Sequence, residues 1–199
     1  MEKFAETDYP ILDVLKRRWS PCAFSDRLIE PHKICCLFEA LRWAASSFNE
    51  QPWSFIVATK DKADEFAKAL NCLVEANQVW AARVPMLVLA IAKKTFTANN
   101  QPNRVYIHDL GLAMGNFCTQ ATSMNLFVHQ MAGIDVNRIR ELYEIPDDYE
   151  PVTVAAVGYG GESGQISQDI RKRDLAPRTR KPLSEFVFEN QWGQPSGIL

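Results

Sequence analysis

The sequence predicts an α/β sandwich built on a mixed sheet. Runs with helical spacing alternate with four strand-like segments, the pattern of helices laid on a sheet. One of those segments, Val84–Ala92, is apolar throughout, as a central strand covered on both faces must be. A chain of 199 residues, 47% apolar and 23% charged, is sized for one domain over residues 1–199 with a substantial core.

Residues 8–18 place Ile11, Leu12, Val14 and Leu15 on one helical face, with Asp8 as cap. Lys16-Arg17-Arg18 fall in the last turn, where cations complement the helix dipole. Pro31 suits the first turn of a second helix, in which Ile34, Leu37, Phe38, Leu41 and Ala45 recur at spacings of three and four. That helix reads as almost wholly buried, and Cys35-Cys36 within it as core filler. Trp53–Thr59 is a strand of aromatic and β-branched residues. Asp61 is placed to cap a helix turning Ala63, Phe66, Ala67 and Leu70 inward, and Leu73–Ala82 is helical as well.

After the central strand and a polar loop over 93–102, Arg104–Met124 is the longest periodic segment. Its Gly111 and Gly115 read as a point of close helix packing. Leu126–Met131 and Pro151–Tyr159 are the remaining strands, separated by a short helix capped by Asp135 and ended by Pro146. Residues 160–199 differ: they are polar, carry prolines and hold the cluster Arg171, Lys172, Arg173, Arg178, Arg180 and Lys181. Yet a solvated tail has little use for Phe186, Val187, Phe188 and Trp192. They predict a C-terminal extension that wraps a neighbouring surface, such as a second subunit.

The formal net charge is -2 with no long basic tract, so composition gives no support for nucleic-acid binding. No apolar run approaches the roughly 20 residues of a membrane helix. The charged start Met1–Glu6 has no apolar signal core. Five cysteines without a Cys-x-x-Cys pair, and histidines only at 32, 108 and 129, point away from a disulfide framework and a protein-built metal site. These features suit a reducing cytoplasm.

Three polar stations stand out: Arg17-Arg18-Trp19-Ser20, Ser46-Ser47-Phe48-Asn49 and Arg178-Thr179-Arg180. None is a Walker loop or a Gly-x-Gly-x-x-Gly fingerprint. Arginine forks beside a serine hydroxyl suit a phosphate, whose oxygens match the planar donors in pairs. The stretch Ala44–Trp53, polar between an apolar helix and a strand, reads either as an ordinary connection or as a ligand-bearing hinge.

These motifs resemble those of the FMN-dependent nitroreductase family. Arg18-Trp19-Ser20-Pro21-Cys22-Ala23-Phe24 resembles the family's Arg-x-Ser-x-Arg/Lys-x-Phe opening, and Ala45–Trp53 resembles its Pro-Ser-Ser-x-Asn-x-Gln-Pro-Trp motif, with Ala45 in place of proline. Asn77–Trp80, Asp109-Leu110-Gly111, Met131–Asp135 and Val157-Gly158-Tyr159 follow in the family's order. Arg178–Leu183 resembles its C-terminal phosphate clamp.

The resemblance implies a three-layer sandwich and a homodimer with FMN at the subunit interface. It implies that Arg18, Trp19, Ser20, Arg178 and Arg180 hold the phosphate and ribityl end, with Ala45, Ser46, Ser47 and Asn49 supplied by the partner chain. Asn77 would reach the ribityl or pyrimidine side, and Asp109 the ring. The backbone of Met131, Ala132 and Gly133 would face the flavin N5 edge, where Gly133 permits a close approach. Phe48, Trp80 and Phe127 would line the substrate pocket.

Two positions depart from the pattern. Cys22 and Trp80 stand where the family often has basic residues that favour the reduced flavin. The activity implied is ping-pong transfer from NAD(P)H through FMN to a nitroaromatic, quinone or related small-molecule acceptor. The flavin carries the chemistry and no catalytic side chain is required. A flavin-binding store or sensor with little turnover, and a divergent reaction such as reductive dehalogenation, are the alternatives.

Overall fold

The computed structural model describes residues 3–198; Met1, Glu2 and Leu199 of the predicted termini lie outside them. Four strands form one sheet: β1 (Trp53–Thr59), β2 (Met86–Lys93), β3 (Phe127–Met131) and β4 (Tyr149–Gly158), in the order β1-β2-β4-β3. Seven α-helices accompany them among the described residues: α1 (Asp13–Arg17), α2 (Pro31–Arg42), α3 (Ala63–Leu70), α4 (Glu75–Ala81), α5 (Tyr106–Ser123), α6 (Val136–Tyr143) and α7 (Gln168–Leu175).

The expected sandwich is present, and all four predicted strands form. The sheet of this chain is antiparallel at every hydrogen-bonded pair, however, and not mixed. Two helices, α3 and α4, separate β1 from β2, so the chain re-enters the sheet at the end it left. The single helix α5 does return β3 in the direction of β2, but β4 inserts between them and pairs antiparallel with both.

Alternation along the strands sorts the core into two layers. Met86, Val88, Ala90 and Ala92 face α2 and α5, with Leu37, Leu41, Leu110, Met114 and Phe117. Leu87 and Leu89 face α3, α4 and α6, with Phe66, Trp80 and Ile139. This is why β2 is apolar at successive positions.

Several local expectations are corrected. Only Asp13–Arg17 of residues 8–18 is helical, with Leu12 and not Asp8 at the N-cap position. Tyr9 precedes Pro10, which disfavours helical backbone there. Lys62, not Asp61, occupies the N-cap of α3. The helix α2 buries only Leu37 and Leu41, and Cys35 and Cys36 are exposed. A Cβ at Gly111 or Gly115 would meet nothing within 4 Å, so neither marks close packing inside this chain. Asp135 caps α6 as expected, its carboxylate accepting from Arg138 N at 2.9 Å.

Beyond β4 the chain turns back over Phe24, which bridges Gly160. Gly161 is required there, because a Cβ would lie 2.4 Å from the Phe24 carbonyl. The tail then forms α7 and a coil in which Phe186 and Trp192 are 56% and 92% exposed. They pack on nothing of their own core.

Candidate functional site: an arginine cleft beside the edge strand

The connection after α1 and the segment after α7 meet beside β3. Lys3, Arg18, Trp19, Ser20, Arg178 and Arg180 line a cleft of about 320 Å³. Arg18 Nη1 donates to Ser20 Oγ at 3.1 Å, which sets the guanidinium and the hydroxyl side by side. Among the described residues the Arg180 side chain bonds only to the neighbouring Thr179 carbonyl. Arg178 is partly committed: its Nη1 donates to the carbonyls of Lys3 at 2.6 Å and Lys16 at 2.7 Å. It therefore pins the tail to the N-terminal segment as well as lining the cleft.

None of these arginines meets a carboxylate among the described residues. Burial lowers the pKa of Arg18, and the nearby Arg180 charge lowers it further. Arg178 is depressed by burial and then by Arg18 and Arg180. Three mutually repelling guanidiniums, Arg180 exposed and the other two partly buried, give the cleft a positive potential.

Sequence reasoning missed six residues of this cleft, Ala176 and Pro177 of the tail among them. Lys3 and His129 line it, and so do Arg173 and Asp174 from α7. Asp174 is buried, and its Oδ2 accepts from Cys22 N at 2.7 Å and Ala23 N at 3.2 Å. Lys3 Nζ donates to the Asp174 carbonyl at 2.5 Å. Cys22 is buried, with burial pushing its thiol up to about 11. Its Sγ lies 3.1 Å from Arg173 Nη2 and 3.8 Å from His129 Nδ1. Its thiol is neutral and buried, and its backbone N–H is committed to Asp174, so Cys22 lies behind the cleft and does not line it. His129 is held neutral chiefly by burial, and its Nδ1 lies 2.8 Å from the Pro21 carbonyl. The basic run in the tail was the signal for Arg173; nothing local marks Asp174, which works across 152 residues of sequence.

The second motif lies elsewhere. Ser46, Ser47 and Asn49 form a tight turn between α2 and β1, and Ala45 is exposed beside it. Phe48, Asn49 and Gln51 all have positive φ, at 52°, 56° and 50°. Such backbone is costly for non-glycine residues and is kept where surroundings over-determine it. Here Gln51 N donates to Ser46 Oγ at 3.0 Å, and Ser47 N to the buried Asp109 Oδ2 at 3.0 Å. From the loop after β2, Thr97 Oγ1 donates to Glu50 Oε1 at 2.6 Å, and Phe96 meets the edge of Phe48. Asp109 is only 2% exposed, and its carboxylate positions the Ser47 turn.

A third group gathers at the end of β3. Asn77 Nδ2 donates to the Gly133 carbonyl at 3.1 Å. A Cβ on Gly133 would lie 2.7 Å from Asn77 Nδ2 and 2.8 Å from Val74 Cγ2. The glycine thus makes room for α4 of its own chain, not directly for a ligand. Ala132 is exposed, whereas the Met131 side chain is buried in the core, leaving its backbone for any contact.

Within one chain the three proposed pocket aromatics do not come together. Trp80 is 1% exposed and stacks between Phe24 and His129, so it fills the core. Phe48 is 93% exposed at the far turn. Phe127 packs its edge on Trp19, beside neighbouring clefts that exclude the other two.

The α/β sandwich thus carries an arginine-lined cleft beside one edge strand and a positive-φ turn of hydroxyls and amides leading into the other. The nitroreductase family model matches residues 15–159, and the chain belongs to the nitroreductase family. An uncharacterised 15.4 kDa protein of Mycolicibacterium smegmatis is 31% identical over 68% of this chain and 90% of its own. The major NAD(P)H-flavin oxidoreductase of Aliivibrio fischeri is 24% identical over 90% of this chain and 98% of its own. The crystal structure of an oxidoreductase containing FMN superposes with a TM-score of 0.89 at 29% identity, covering 95% of this chain and 96% of the other.

Proposed function

We propose that the chain is an FMN-dependent oxidoreductase that draws on NAD(P)H and reduces a small acceptor such as a nitroaromatic or a quinone in ping-pong fashion. The observation that carries this reading is the cleft in which Arg18, Arg178 and Arg180 converge without a carboxylate partner among the described residues. Its donors fit the phosphate of FMN, with Ser20 beside Arg18. The family and the names of the relatives support the same cofactor pair.

When bound, FMN supplies the hydride chemistry. The chain's own residues bind and orient it. Arg18, Ser20 and Arg180 hold the phosphate, Arg178 anchors the tail that closes the cleft, and the exposed backbone at Ala132 offers polar groups along β3.

A homodimer completes the site. The Ser46–Asn49 turn leads into edge strand β1, while the cleft lies beside the opposite edge strand β3. Three strand spacings, about 14 Å, separate the two edges. A second copy brings its turn to this cleft, and its surface meets the exposed Trp43, Phe48 and Trp192. Free thiols at all five cysteines suit a cytoplasmic setting.

The purified protein is expected to show flavin absorbance that bleaches on anaerobic addition of NADH or NADPH and returns with acceptor. Bound flavin that neither donor bleaches would instead mark a store or sensor. Protein that takes up no added FMN would refute the cofactor assignment.

A further inference from the structure

One wall of the arginine cleft is an imidazole. His129, on β3, lines it together with Arg18, Ser20, Arg178 and Arg180. The ring is held in place. Its Nδ1 lies 2.8 Å from the Pro21 carbonyl, an oxygen that can only accept, so Nδ1 carries the hydrogen. The Trp80 ring, itself sealed in the core, covers the imidazole at a centroid distance of 4.6 Å.

With its hydrogen on Nδ1, the neutral ring presents Nε2 as a bare lone pair. Nε2 points away from the Pro21 carbonyl and has no partner among the described residues. It is not sealed either: the buried side-chain nitrogens left without partners there are those of Trp19, Trp80 and Asn103. The charged and titratable groups facing the ring are Arg18 and Cys22 from the connection after α1, and Arg173 and Asp174 from α7. On β4 its register partner is the uncharged Ala156, and α4 brings Trp80. Burial keeps the ring unprotonated, against the Pro21 carbonyl and Asp174 and in the same sense as Arg173 and Arg18. The Asp174 carboxylate is turned to two backbone amides. An anion entering the cleft therefore brings negative charge to a ring that its surroundings otherwise hold neutral.

We propose that His129 is a binding residue of the phosphate site, whose Nε2 takes up a proton when a phosphate monoester enters and holds it in a hydrogen bond to a phosphate oxygen. The inference rests on the FMN reading above. A phosphate monoester loses its second proton near about pH 6, so at neutral pH the free ester is largely dianionic while the free imidazole is neutral. In the cleft the dianion raises the proton affinity of Nε2, and the arginines satisfy the other oxygens. The proton comes from solvent, and no bond to phosphorus changes. An unprotonated Nε2 facing the dianion would set one lone pair against another. A flavin without a phosphate gains nothing from this proton, so His129 ties retention of the monoester to pH.

The test titrates the unaltered chain and His129→Asn with FMN between about pH 8 and pH 6, with riboflavin as the phosphate-free probe. Binding that takes up a proton strengthens as pH falls. The unaltered chain is therefore expected to bind FMN at least about fivefold more tightly at the lower pH, and riboflavin within about twofold at both. The asparagine amide can still donate to the Pro21 carbonyl but has nothing to protonate at Nε2. His129→Asn is expected to match the unaltered chain within about threefold at the higher pH and to lose the gain at the lower one. An equal gain in His129→Asn, an equal gain with riboflavin, or an FMN affinity indifferent to pH in the unaltered chain would each overturn the proposal. Should His129→Asn not fold, the ring-nitrogen NMR signals of His129 in the unaltered chain decide. Nε2 is expected to become protonated on addition of FMN at neutral pH, and signals that stay those of a neutral ring overturn the proposal. Failure of the unaltered chain to bind FMN at any pH overturns the underlying reading and this inference together, whereas FMN binding that ignores pH removes His129 alone.

Discussion

The buried carboxylate of Asp109 accepts the backbone N–H of Ser47 at 3.0 Å, tying the long helix α5 to the turn that opens β1. With the Gln51–Ser46 and Thr97–Glu50 bonds, it makes a sequence motif of hydroxyls and amides a rigid surface feature. Asp109→Ala is expected to destabilise the chain by about 1–3 kcal/mol, the penalty for a lost bond and an unpaired donor. It is also expected to weaken FMN binding several-fold, because the Ser46–Asn49 turn is released. Urea unfolding and flavin titration check both. A stable variant with unaltered FMN affinity would deny the turn any part in the site.

Arg18→Ala and Arg180→Ala are each expected to weaken FMN by about 1.5–3 kcal/mol, the range for hydrogen bonds to charged groups. Arg178→Ala should behave differently. It also releases the carbonyls of Lys3 and Lys16, so its loss of affinity comes with a lower unfolding midpoint. Flavin fluorescence titration and thermal unfolding, run on all three variants, separate the two behaviours.

Gly133→Ala places a methyl 2.7 Å from Asn77 Nδ2 and 2.8 Å from Val74 Cγ2. The start of α4 must shift, and overpacking of this kind costs about 1–3 kcal/mol. Ala132→Gly, next to it and exposed, should change stability far less. Equal stability of Gly133→Ala and the unaltered protein in urea would show that the contact relaxes freely.

Tyr159 ties the end of β4 to the start of α2 by donating to Glu30 Oε2 at 2.5 Å, with Lys33 Nζ donating to the same phenol oxygen at 2.6 Å. The Tyr159 hydrogen bond is the leading reason that Glu30 titrates at about 2 in place of the ordinary 4.5. A carboxylate depressed in the folded state contributes stability above its ordinary value and loses it as pH falls toward the folded one. The unfolding temperature should therefore drop between pH 4.5 and 2 more steeply in the unaltered chain than in Glu30→Gln. Parallel acid profiles would remove Glu30 from the account.

Much of this protein was written locally. The four strands follow from short runs of β-branched, aromatic or unbroken apolar residues, and β2 announced its central place by lacking any polar face. The arginines of the cleft and the Ser46–Asn49 turn were marked by residue type, since few chemistries want guanidinium beside hydroxyl. Pairing direction was not marked. It depends on which helices intervene and on β4 inserting between β2 and β3, a property of the whole chain.

Burial likewise escaped the local pattern. Cys35 and Cys36 have the spacing of core residues but lie on the outer side of α2, because α5 covers only the stripe that holds Leu37 and Leu41. Trp80 and Phe48 were equally aromatic in the sequence, yet one is sealed between Phe24 and His129 and the other stands in the open.

The sequence by itself determined the strands, the arginine and hydroxyl stations and the family, because each depends on neighbours a few positions apart. Only the tertiary structure decided that Asp174 would clamp the Cys22 loop, that Arg173 would lie on a thiol, and that Asp109 would hold the Ser47 turn. Those roles depend on contacts across 62 to 152 residues of chain, and no local spacing encodes where two such distant segments will meet.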